Sequence, residues 1–244
     1  MGKAKLYDYI KNLKVYYDIF FVSGPYLAPY FYIFLYNIIL KLLIHNPPLL
    51  ETNFIKGTEI LEENYKSINK ELSRILKNKK KIPSFQEVDE GQKRISIDKK
   101  WKTFFLKIYG NYIEKNCKLC PKTVKLLEQV PGVYTAMFSI LEPKKHIPGH
   151  HGLFKGVLRY HLGLIIPKNK RCKIQVGKKT YYWKEGKGIL FDDTYYHEVW
   201  NNSNEIRVVL FLDIERPFKY RWLQKNKQKI NEAFRGGRKS PKHG

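Results

Sequence analysis

The chain has 244 residues, of which 43% are hydrophobic and 15% aromatic, so it can bury a sizeable core and is not an intrinsically disordered protein. Its 46 lysines and arginines against 22 aspartates and glutamates give a net charge of +24 at pH 7. This charge predicts an anionic partner: an acidic lipid surface, an acidic substrate or nucleic acid. Three cysteines, Cys117, Cys120 and Cys172, are too few and too odd in number for a disulfide framework, as is typical of a reducing compartment.

An apolar stretch without charged residues runs from Ile19 to Leu40 and would be long enough to cross a bilayer. Pro25 and Pro29 interrupt it, and the part that remains after Pro29 is shorter than a spanning helix. Its aromatic residues and flanking lysines are typical of an element at the level of lipid headgroups. We expect residues 1–50 to form an N-terminal segment that associates with a membrane; packing on the main domain is the alternative.

Two helices are predicted before the strand-rich half of the chain. Apolar residues at the spacing of one helix face predict an amphipathic helix from Thr58 to Asn78. Pro121 at a first helical position, followed by KTVKLLEQV, predicts a shorter helix that ends before Pro131. Residues 83–100, which lie between the two, are expected to be a polar connection.

The pair Cys117 and Cys120, spaced as CKLC, gives a weak indication of a metal or redox site. A zinc site would need a second pair of ligands, and the sequence offers no evident one. The alternative is that both thiols pack near the start of the shorter helix.

From residue 131 onward the sequence is typical of β-strands. Five segments rich in β-branched or aromatic residues end in turn-forming residues: VYTAMFSILEP, GVLRYHLGLIIP, CKIQVGKKTYYW, GILFDDTYYHEVW and IRVVLFLDIERP. Such spacing, without helices in between, predicts a mainly β fold with a double-stranded β-helix core, a cupin-like jelly roll, flanked by N-terminal helices. The core is expected at about residues 131–218 of a domain that covers residues 51–218, and residues 219–244 are expected to form a basic tail.

Five of the seven histidines lie in this half: His146, His150, His151, His161 and His197. Two lie inside aromatic segments and three around a Pro-Gly turn. A single histidine is more often a satisfied core residue, but such a group is typical of a metal site. Two histidines from different strands at the mouth of a jelly roll would leave coordination positions free, as non-haem Fe(II) requires.

The run from HIPGHHGLFKGVLRYHLGLIIP through WKEG and FDDTYYHEVWNN to RVVLFLDIERP resembles the aspartyl/asparaginyl β-hydroxylase family of Fe(II)- and 2-oxoglutarate-dependent oxygenases. YLAPYFYIFLYN, WKTFFLKIYG and CPKTVKLLEQVPGVYTAMFSIL also resemble its branch of lipid A 2-hydroxylases. The likeness extends from about Tyr26 to Phe218. It implies a dioxygenase that uses Fe(II), 2-oxoglutarate and O2 to hydroxylate an unactivated C–H bond.

The resemblance also implies roles for individual residues. His150 and His197 match the two iron ligands, and Gly152 stands where some relatives carry a carboxylate ligand. Ser139 and Arg207 match positions that hold the distal carboxylate of 2-oxoglutarate, His161 matches one that contacts this cosubstrate near the metal, and Arg159 matches a substrate-binding arginine. The three histidines, His150, His161 and His197, are therefore the expected catalytic residues.

Other polar residues nearby are expected to play supporting parts. The stretch from Phe191 to Asn201 is predicted to be one buried strand, in which Asp192 and Asp193 are structural or orient a ligand; Glu198 is another candidate for that role. A third ligand from His151 is disfavoured, because adjacent residues on a strand point to opposite faces.

Two substrates remain open. The acyl chain of a membrane lipid, similar to lipid A, suits the N-terminal segment and the net charge, with the catalytic domain on the cytoplasmic side of the membrane. A peptidyl Asp or Asn suits Gly152 and would use Arg159 to hold a carboxylate. The upstream likeness favours the lipid. A catalytically silent basic barrel that binds nucleic acid or membrane is a third possibility, but no nucleic-acid motif is present. The sequence leaves the oligomeric state open.

Overall fold

The computed structural model describes Leu35 and residues 37–152, 154–168 and 170–217. Residues 37–43 are helical, and residues 46–217 form a compact unit built mainly of β-strands. In the described ranges, no helix combines the length and the apolar character needed to cross a membrane. Most of the predicted membrane-associated segment and the whole predicted basic tail, residues 219–244, lie outside the described residues.

Short α-helices lie mainly in the first half of the described unit. They are α1 (Thr58–Glu63), α2 (Tyr65–Leu76), α3 (Phe85–Val88), α4 (Glu114–Cys117) and α5 (Pro121–Leu127), with 3₁₀ turns at Thr52–Phe54, Lys79–Lys81 and Glu90–Arg94. The single helix predicted from Thr58 to Asn78 is wrong, because Asn64 separates α1 from α2 and its side-chain amide donates to the carbonyl of Ile60 at 2.9 Å. The polar connection predicted for residues 83–100 likewise contains α3 and a 3₁₀ turn.

The predicted helix that begins at Pro121 is confirmed as α5. Its first turn is held by Glu71 of α2, a buried carboxylate that accepts hydrogen bonds from the backbone N–H groups of Lys122 and Thr123, both at 2.9 Å, and from the hydroxyl of Thr123 at 2.7 Å. Donors at a helix N-terminus lack partners within the helix, so a buried carboxylate is stabilised there.

The strands form two antiparallel sheets. The strands are β1 (Leu49–Leu50), β2 (Trp101–Ile108), β3 (Asn111–Tyr112), β4 (Val133–Leu141), β5 (His146–His150), β6 (Val157–Ile165), β7 (Cys172–Val176), β8 (Lys179–Tyr182), β9 (Gly188–Phe191), β10 (His197–Asn201) and β11 (Arg207–Glu215). The larger sheet has the order β1-β9-β6-β11-β4-β2-β3, and the smaller has the order β5-β10-β7-β8. From β4 onward the chain passes repeatedly between the two sheets, which is the jelly-roll arrangement. The predicted mainly β fold with a double-stranded β-helix is therefore confirmed.

Both faces of the larger sheet are buried, which explains why its strands are almost continuously apolar. The even-numbered residues of β4, β6 and β11, such as Phe138 and Leu210, pack against the helices, whereas odd-numbered ones, such as Met137 and Phe211, pack between the sheets. Side chains alternate along a strand, so polar residues at odd positions share the inner face. They include Ser139, Arg159, His161, Arg207 and Asp213.

The strand predicted from Phe191 to Asn201 is wrong in its middle. β9 ends at Phe191, β10 begins at His197, and the intervening residues form a turn that passes from the larger sheet to the smaller one. Asp192 organises this turn by accepting hydrogen bonds from the backbone N–H (3.1 Å) and the hydroxyl (2.6 Å) of Thr194. The sequence did not indicate this turn, because Tyr195 and Tyr196 continue the aromatic composition of the flanking strands. The Pro-Gly segment that follows His146, which the sequence pattern indicated to be a turn, is part of a strand, β5.

Asp192 is fully buried and pairs with two cations. One carboxylate oxygen lies 2.8 Å from Nζ of Lys155 and 2.7 Å from Nη2 of Arg216. Burial alone would raise the pKa of Asp192, but these two cations lower it below its usual value. The aspartate is thus structural, as predicted, and it fixes the turn that leads into His197.

Candidate active site

His150 and His197 face each other across neighbouring strands of the smaller sheet. His150 is the last residue of β5 and His197 the first of β10, and their Cα atoms are direct partners in the antiparallel register. The ring centroids lie 4.1 Å apart. The structure thus brings together the two residues predicted to bind a metal.

Each of these rings is oriented by a backbone carbonyl. Nδ1 of His150 lies 2.9 Å from the carbonyl oxygen of Pro148, and Nδ1 of His197 lies 2.9 Å from that of Tyr195. A carbonyl oxygen only accepts, so each Nδ1 carries the hydrogen and each Nε2 keeps its lone pair. Burial lowers the pKa of His150 to about 4 and that of His197 well below its usual value. Both imidazoles are therefore neutral near pH 7, the form that binds metals.

The carboxyl group of Asp193 fills the space beside Gly152. A Cβ atom on Gly152 would lie 2.2 Å from Cγ of Asp193, and the backbone N–H of Gly152 donates to the carbonyl of Asp193 at 2.7 Å. Among the described residues, no group of three or more His, Cys, Asp or Glu side chains could hold a metal ion together. The candidate ligands that the structure brings together are the imidazoles of His150 and His197.

Arg207 is a deeply buried cation on the inner face of β11. Burial lowers its pKa to about 10, and no acidic side chain of the described residues forms an ion pair with it. One nitrogen, Nη1, donates to the carbonyl of Ser139 at a long 3.4 Å, and Nε is buried and has no hydrogen-bond partner among the residues that the structure describes. A buried guanidinium in this state is unfavourable unless an anion joins it.

The hydroxyl of Ser139 lies near this cation on the inner face of the larger sheet. The buried indole N–H of Trp101 donates to Ser139 Oγ at 3.0 Å. Since the oxygen already accepts this bond, the hydroxyl hydrogen is available for donation to a carboxylate. The sequence did not single out Trp101, because only the pairing of β2 with β4, in which Trp101 lies opposite Leu141, brings its indole within reach of Ser139.

His161 lies among aromatic rings between the two sheets. Its ring centroid is 4.9 Å from that of Phe211, 5.1 Å from that of Phe191 and 6.0 Å from that of Trp183. Burial, followed by the charges of Arg207 and Arg159, lowers its pKa well below the usual value, so the ring is neutral. Both ring nitrogens are buried and without a hydrogen-bond partner among the described residues. Its predicted contact with a cosubstrate stays a prediction.

Arg159 is held between two carboxylates on the inner face. Nη2 lies 3.0 Å from Oδ2 of Asp193, and Nε lies 3.0 Å from Oδ1 of Asp213. Burial opposes the charge of Arg159, but Asp213 and Asp193 outweigh it and raise the arginine pKa. For Asp193 the balance is reversed, because burial outweighs Arg159 and raises the carboxyl pKa to about 6. Substrate binding by Arg159 stays a prediction, and a substrate carboxylate would compete with both aspartates.

The remaining polar residues of interest are engaged in other contacts. Nδ1 of His151 lies 3.1 Å from the carbonyl oxygen of Thr194. Glu198 follows His197 on β10, so its side chain points to the opposite, outer face of the smaller sheet. There its Oε1 lies 2.6 Å from Nε2 of His146. Burial raises the pKa of the Cys117 thiol, and raises that of Cys120 to about 12, which favours packing over a metal or redox role for this pair.

The residues fit a transition metal and a dicarboxylate. Neutral imidazoles with free Nε2 lone pairs suit divalent iron and its neighbours in the first transition series. Three further residues face the space between the sheets: Ser139, His161 and Arg207. Each has an N–H or O–H group that can donate a hydrogen bond to a carboxylate.

The fold and the site define a jelly-roll protein with a two-histidine candidate metal centre and a buried arginine that forms no ion pair with an acidic side chain of the described residues. A family model described as aspartyl/asparaginyl beta-hydroxylase matches residues 62–217. The chain belongs to the aspartyl/asparaginyl β-hydroxylase family. It is therefore a member of a family of hydroxylases, and the resemblance expected from the motifs is confirmed.

The chain is also similar to individual proteins whose names describe hydroxylases. The ornithine lipid ester-linked acyl 2-hydroxylase of Rhizobium tropici is 45% identical over 175 residues, which cover 71% of this chain and 62% of that protein. Human aspartyl/asparaginyl beta-hydroxylase is 34% identical over 172 residues, which cover 68% of this chain and 22% of that protein. The chain thus spans about three fifths of the first relative and about a fifth of the second.

The Cnp3 cupin domain of Schizosaccharomyces pombe is a solved structure with a TM-score of 0.30 at 12% identity, over 39% of this chain and 62% of that chain.

Proposed function

We propose that this protein is an Fe(II)- and 2-oxoglutarate-dependent dioxygenase that hydroxylates the acyl chain of a membrane lipid. The observation that carries the proposal is that two kinds of unsatisfied side chain lie on the inner surface between the sheets. His150 and His197 offer neutral nitrogens that can bind a metal, and Arg207 is a buried cation that the described residues leave without an acidic partner. A metal ion would bind the histidine nitrogens, and a dicarboxylate cosubstrate would supply the anion that pairs with Arg207.

The described residues have distinct parts in this proposal. Bound Fe(II), with 2-oxoglutarate and O2, would supply the oxidising chemistry that an unactivated C–H bond requires. His150 and His197 would hold the metal through Nε2, while the carbonyls of Pro148 and Tyr195 keep their rings in position. Arg207 and the hydroxyl of Ser139 would bind the distal carboxylate.

The aromatic surroundings suit a reaction that must proceed away from water. Phe191 and Phe211 lie within about 5 Å of the ring of His161 and are buried. His161 would contact 2-oxoglutarate as a neutral ring. Water exclusion strengthens the electrostatic interactions in such a pocket and limits side reactions of its oxidising chemistry.

Two observations support a lipid substrate. One is the 45% identity to an ornithine lipid ester-linked acyl 2-hydroxylase, and the other is the net charge of +24, which suits an anionic membrane surface. We therefore also propose that the protein works at a membrane, with this domain on its cytoplasmic side. Binding to nucleic acid is not part of the proposal.

A peptidyl Asp or Asn is the second candidate substrate, supported by the 34% identity to human aspartyl/asparaginyl beta-hydroxylase. The surroundings of Arg159 count against it. When Asp193 and Asp213 are both ionised, these three groups carry a formal charge of 1 − 2 = −1. An arginine so engaged is less suited to bind a substrate carboxylate.

The proposal is tested with purified protein, Fe(II), 2-oxoglutarate and air, by measuring succinate with lipid vesicles or with an Asp-containing peptide as acceptor. Succinate that rises with vesicles, together with lipid that gains one oxygen atom, is the expected result. A rise with the peptide alone would select the second substrate. If a folded protein that binds Fe(II) forms no succinate with either acceptor, the silent barrel is the better account. His197→Ala is the inactive control.

A further inference from the structure

Trp183 lies beside two residues of the proposed cosubstrate pocket. Its side chain is only 4% exposed, and Cζ of Arg207 lies 4.4 Å from its ring centroid. The ring of His161 stacks on it with a centroid distance of 6.0 Å. The indole is therefore part of the wall of this pocket.

The backbone that follows Trp183 is held closely against strand β6. The N–H of Gly163 donates to the carbonyl of Lys187 at 3.0 Å, and the N–H of Gly186 donates to the carbonyl of Gly163 at 2.9 Å. A Cβ atom on Gly163 would lie 2.2 Å from the carbonyl oxygen of Lys184, so only glycine permits this approach. The backbone next to Trp183 is thus fixed by the sheet.

The indole N–H of Trp183 is buried and has no hydrogen-bond partner among the described residues. Buried donors are rarely left in this state, because an unmet donor loses its hydrogen bond to water without replacement. Within the described part of the chain, the Nε of Arg207 and both ring nitrogens of His161 are also buried without a hydrogen-bond partner. The indole N–H, the Nε–H of Arg207 and the single N–H of the neutral His161 ring are donors that suit an anion rich in acceptors.

We propose that Trp183 is a further binding residue of this pocket. Its indole N–H donates a hydrogen bond to an oxygen of bound 2-oxoglutarate, and its ring face holds the guanidinium of Arg207 by a cation–π contact. This inference rests on the proposed function. Trp183→Phe separates the two roles, because phenylalanine keeps an aromatic face and loses the donor.

The first test is calorimetric titration of 2-oxoglutarate into protein loaded with Zn²⁺, which does not turn over. Trp183→Phe is expected to bind about tenfold more weakly than the unchanged protein, since a hydrogen bond to a charged acceptor is lost. Trp200→Phe is the matched control, because Trp200 lies on the smaller sheet and stacks on His146 instead. Equal affinity of Trp183→Phe and the unchanged protein would overturn the inference while leaving the proposed function in place.

The second test observes the donor directly and does not depend on the stability of Trp183→Phe. The four tryptophans give four indole N–H signals in an NMR spectrum of ¹⁵N-labelled, Zn²⁺-loaded protein, and Phe variants of the other three assign that of Trp183. Addition of 2-oxoglutarate is expected to move this signal to higher proton frequency. An unmoved signal in protein that binds 2-oxoglutarate would contradict the inference, whereas unchanged protein that fails to bind it would refute the proposed function and the inference together.

Discussion

The carboxyl group of Asp193 occupies the space that any side chain at Gly152 would need, with a distance of 2.2 Å from its Cγ to a Cβ built on the glycine. Asp193 is not free to turn away, because Nη2 of Arg159 holds its Oδ2 at 3.0 Å. Position 152 is therefore closed by a carboxylate that belongs to a different part of the chain.

Gly152→Ala is expected to lower the free energy of unfolding by about 1–3 kcal/mol, because the added methyl group displaces the Asp193 carboxyl from its ion pair. Urea unfolding measures this cost. In an Asp193→Ala background, where the obstacle is absent, the same substitution is expected to cost much less. Equal costs in the two backgrounds would mean that Asp193 is not what excludes a side chain from position 152.

Two buried arginines are expected to respond in opposite ways to replacement by methionine. Arg207→Met removes a cation that has no acidic partner among the described residues, so without ligands the variant is expected to be as stable as the unchanged protein or about 1 kcal/mol more stable. Arg216→Met takes one of the two cations from buried Asp192 and is expected to cost about 2–3 kcal/mol.

Thermal unfolding with and without 2-oxoglutarate measures both effects. The unchanged protein and Arg216→Met, each loaded with Zn²⁺, are expected to gain stability when 2-oxoglutarate is added, and Arg207→Met is expected to gain none. If Arg207→Met were strongly destabilised and still responded to 2-oxoglutarate, Arg207 would be a structural residue and not the anion-binding one.

Asp193 is expected to make stability depend on pH in the acidic range. Burial raises its pKa in the folded protein from 3.8 to about 6, although Arg159 opposes the shift. A group whose folded pKa is raised contributes stability that is complete below the unfolded pKa and is lost as pH rises through the folded pKa. The unchanged protein should therefore lose stability relative to Asp193→Asn between about pH 4 and pH 6, and the difference should be constant above about pH 7.

Asp192→Asn is the control for this measurement. The pKa of Asp192 is lowered, so its contribution is present above the usual carboxyl pKa and is lost only as pH falls through the lowered value. The difference in stability between the unchanged protein and Asp192→Asn should thus be flat from about pH 5 to pH 8. A flat difference for Asp193→Asn as well would show that its carboxyl titrates normally.

The sequence predicts the fold largely because the larger sheet is buried on both faces. Its strands appear as long apolar runs, and the polar residues within them, such as His161 and Arg207, stand out. The turn at residues 192–196 was missed because Tyr195 and Tyr196 continue the aromatic pattern of a strand, while the feature that makes the turn is the pairing of Asp192 with Lys155 and Arg216. These partners lie far away along the sequence.

The candidate site likewise has some features that local sequence patterns predict and others that depend on contacts between distant residues. Motifs alone single out His150 and His197, and the structure places them as direct partners. The engagement of Arg159 with Asp193 and Asp213 follows from strand register and from the path of the turn, neither of which leaves a local pattern. Trp101 and Trp183 were missed for a similar reason, since an inward tryptophan in a β-rich sequence is otherwise an ordinary core residue.

Mass spectrometry of membrane lipids tests the central claim most directly. Cells that express the unchanged protein, grown with sufficient iron under ¹⁸O₂, are expected to contain a lipid whose acyl chain has gained one ¹⁸O atom, and cells that express equal amounts of His197→Ala are expected to lack it. If the lipids of both cultures are identical while the unchanged protein is folded and binds iron, the lipid hydroxylase account is contradicted.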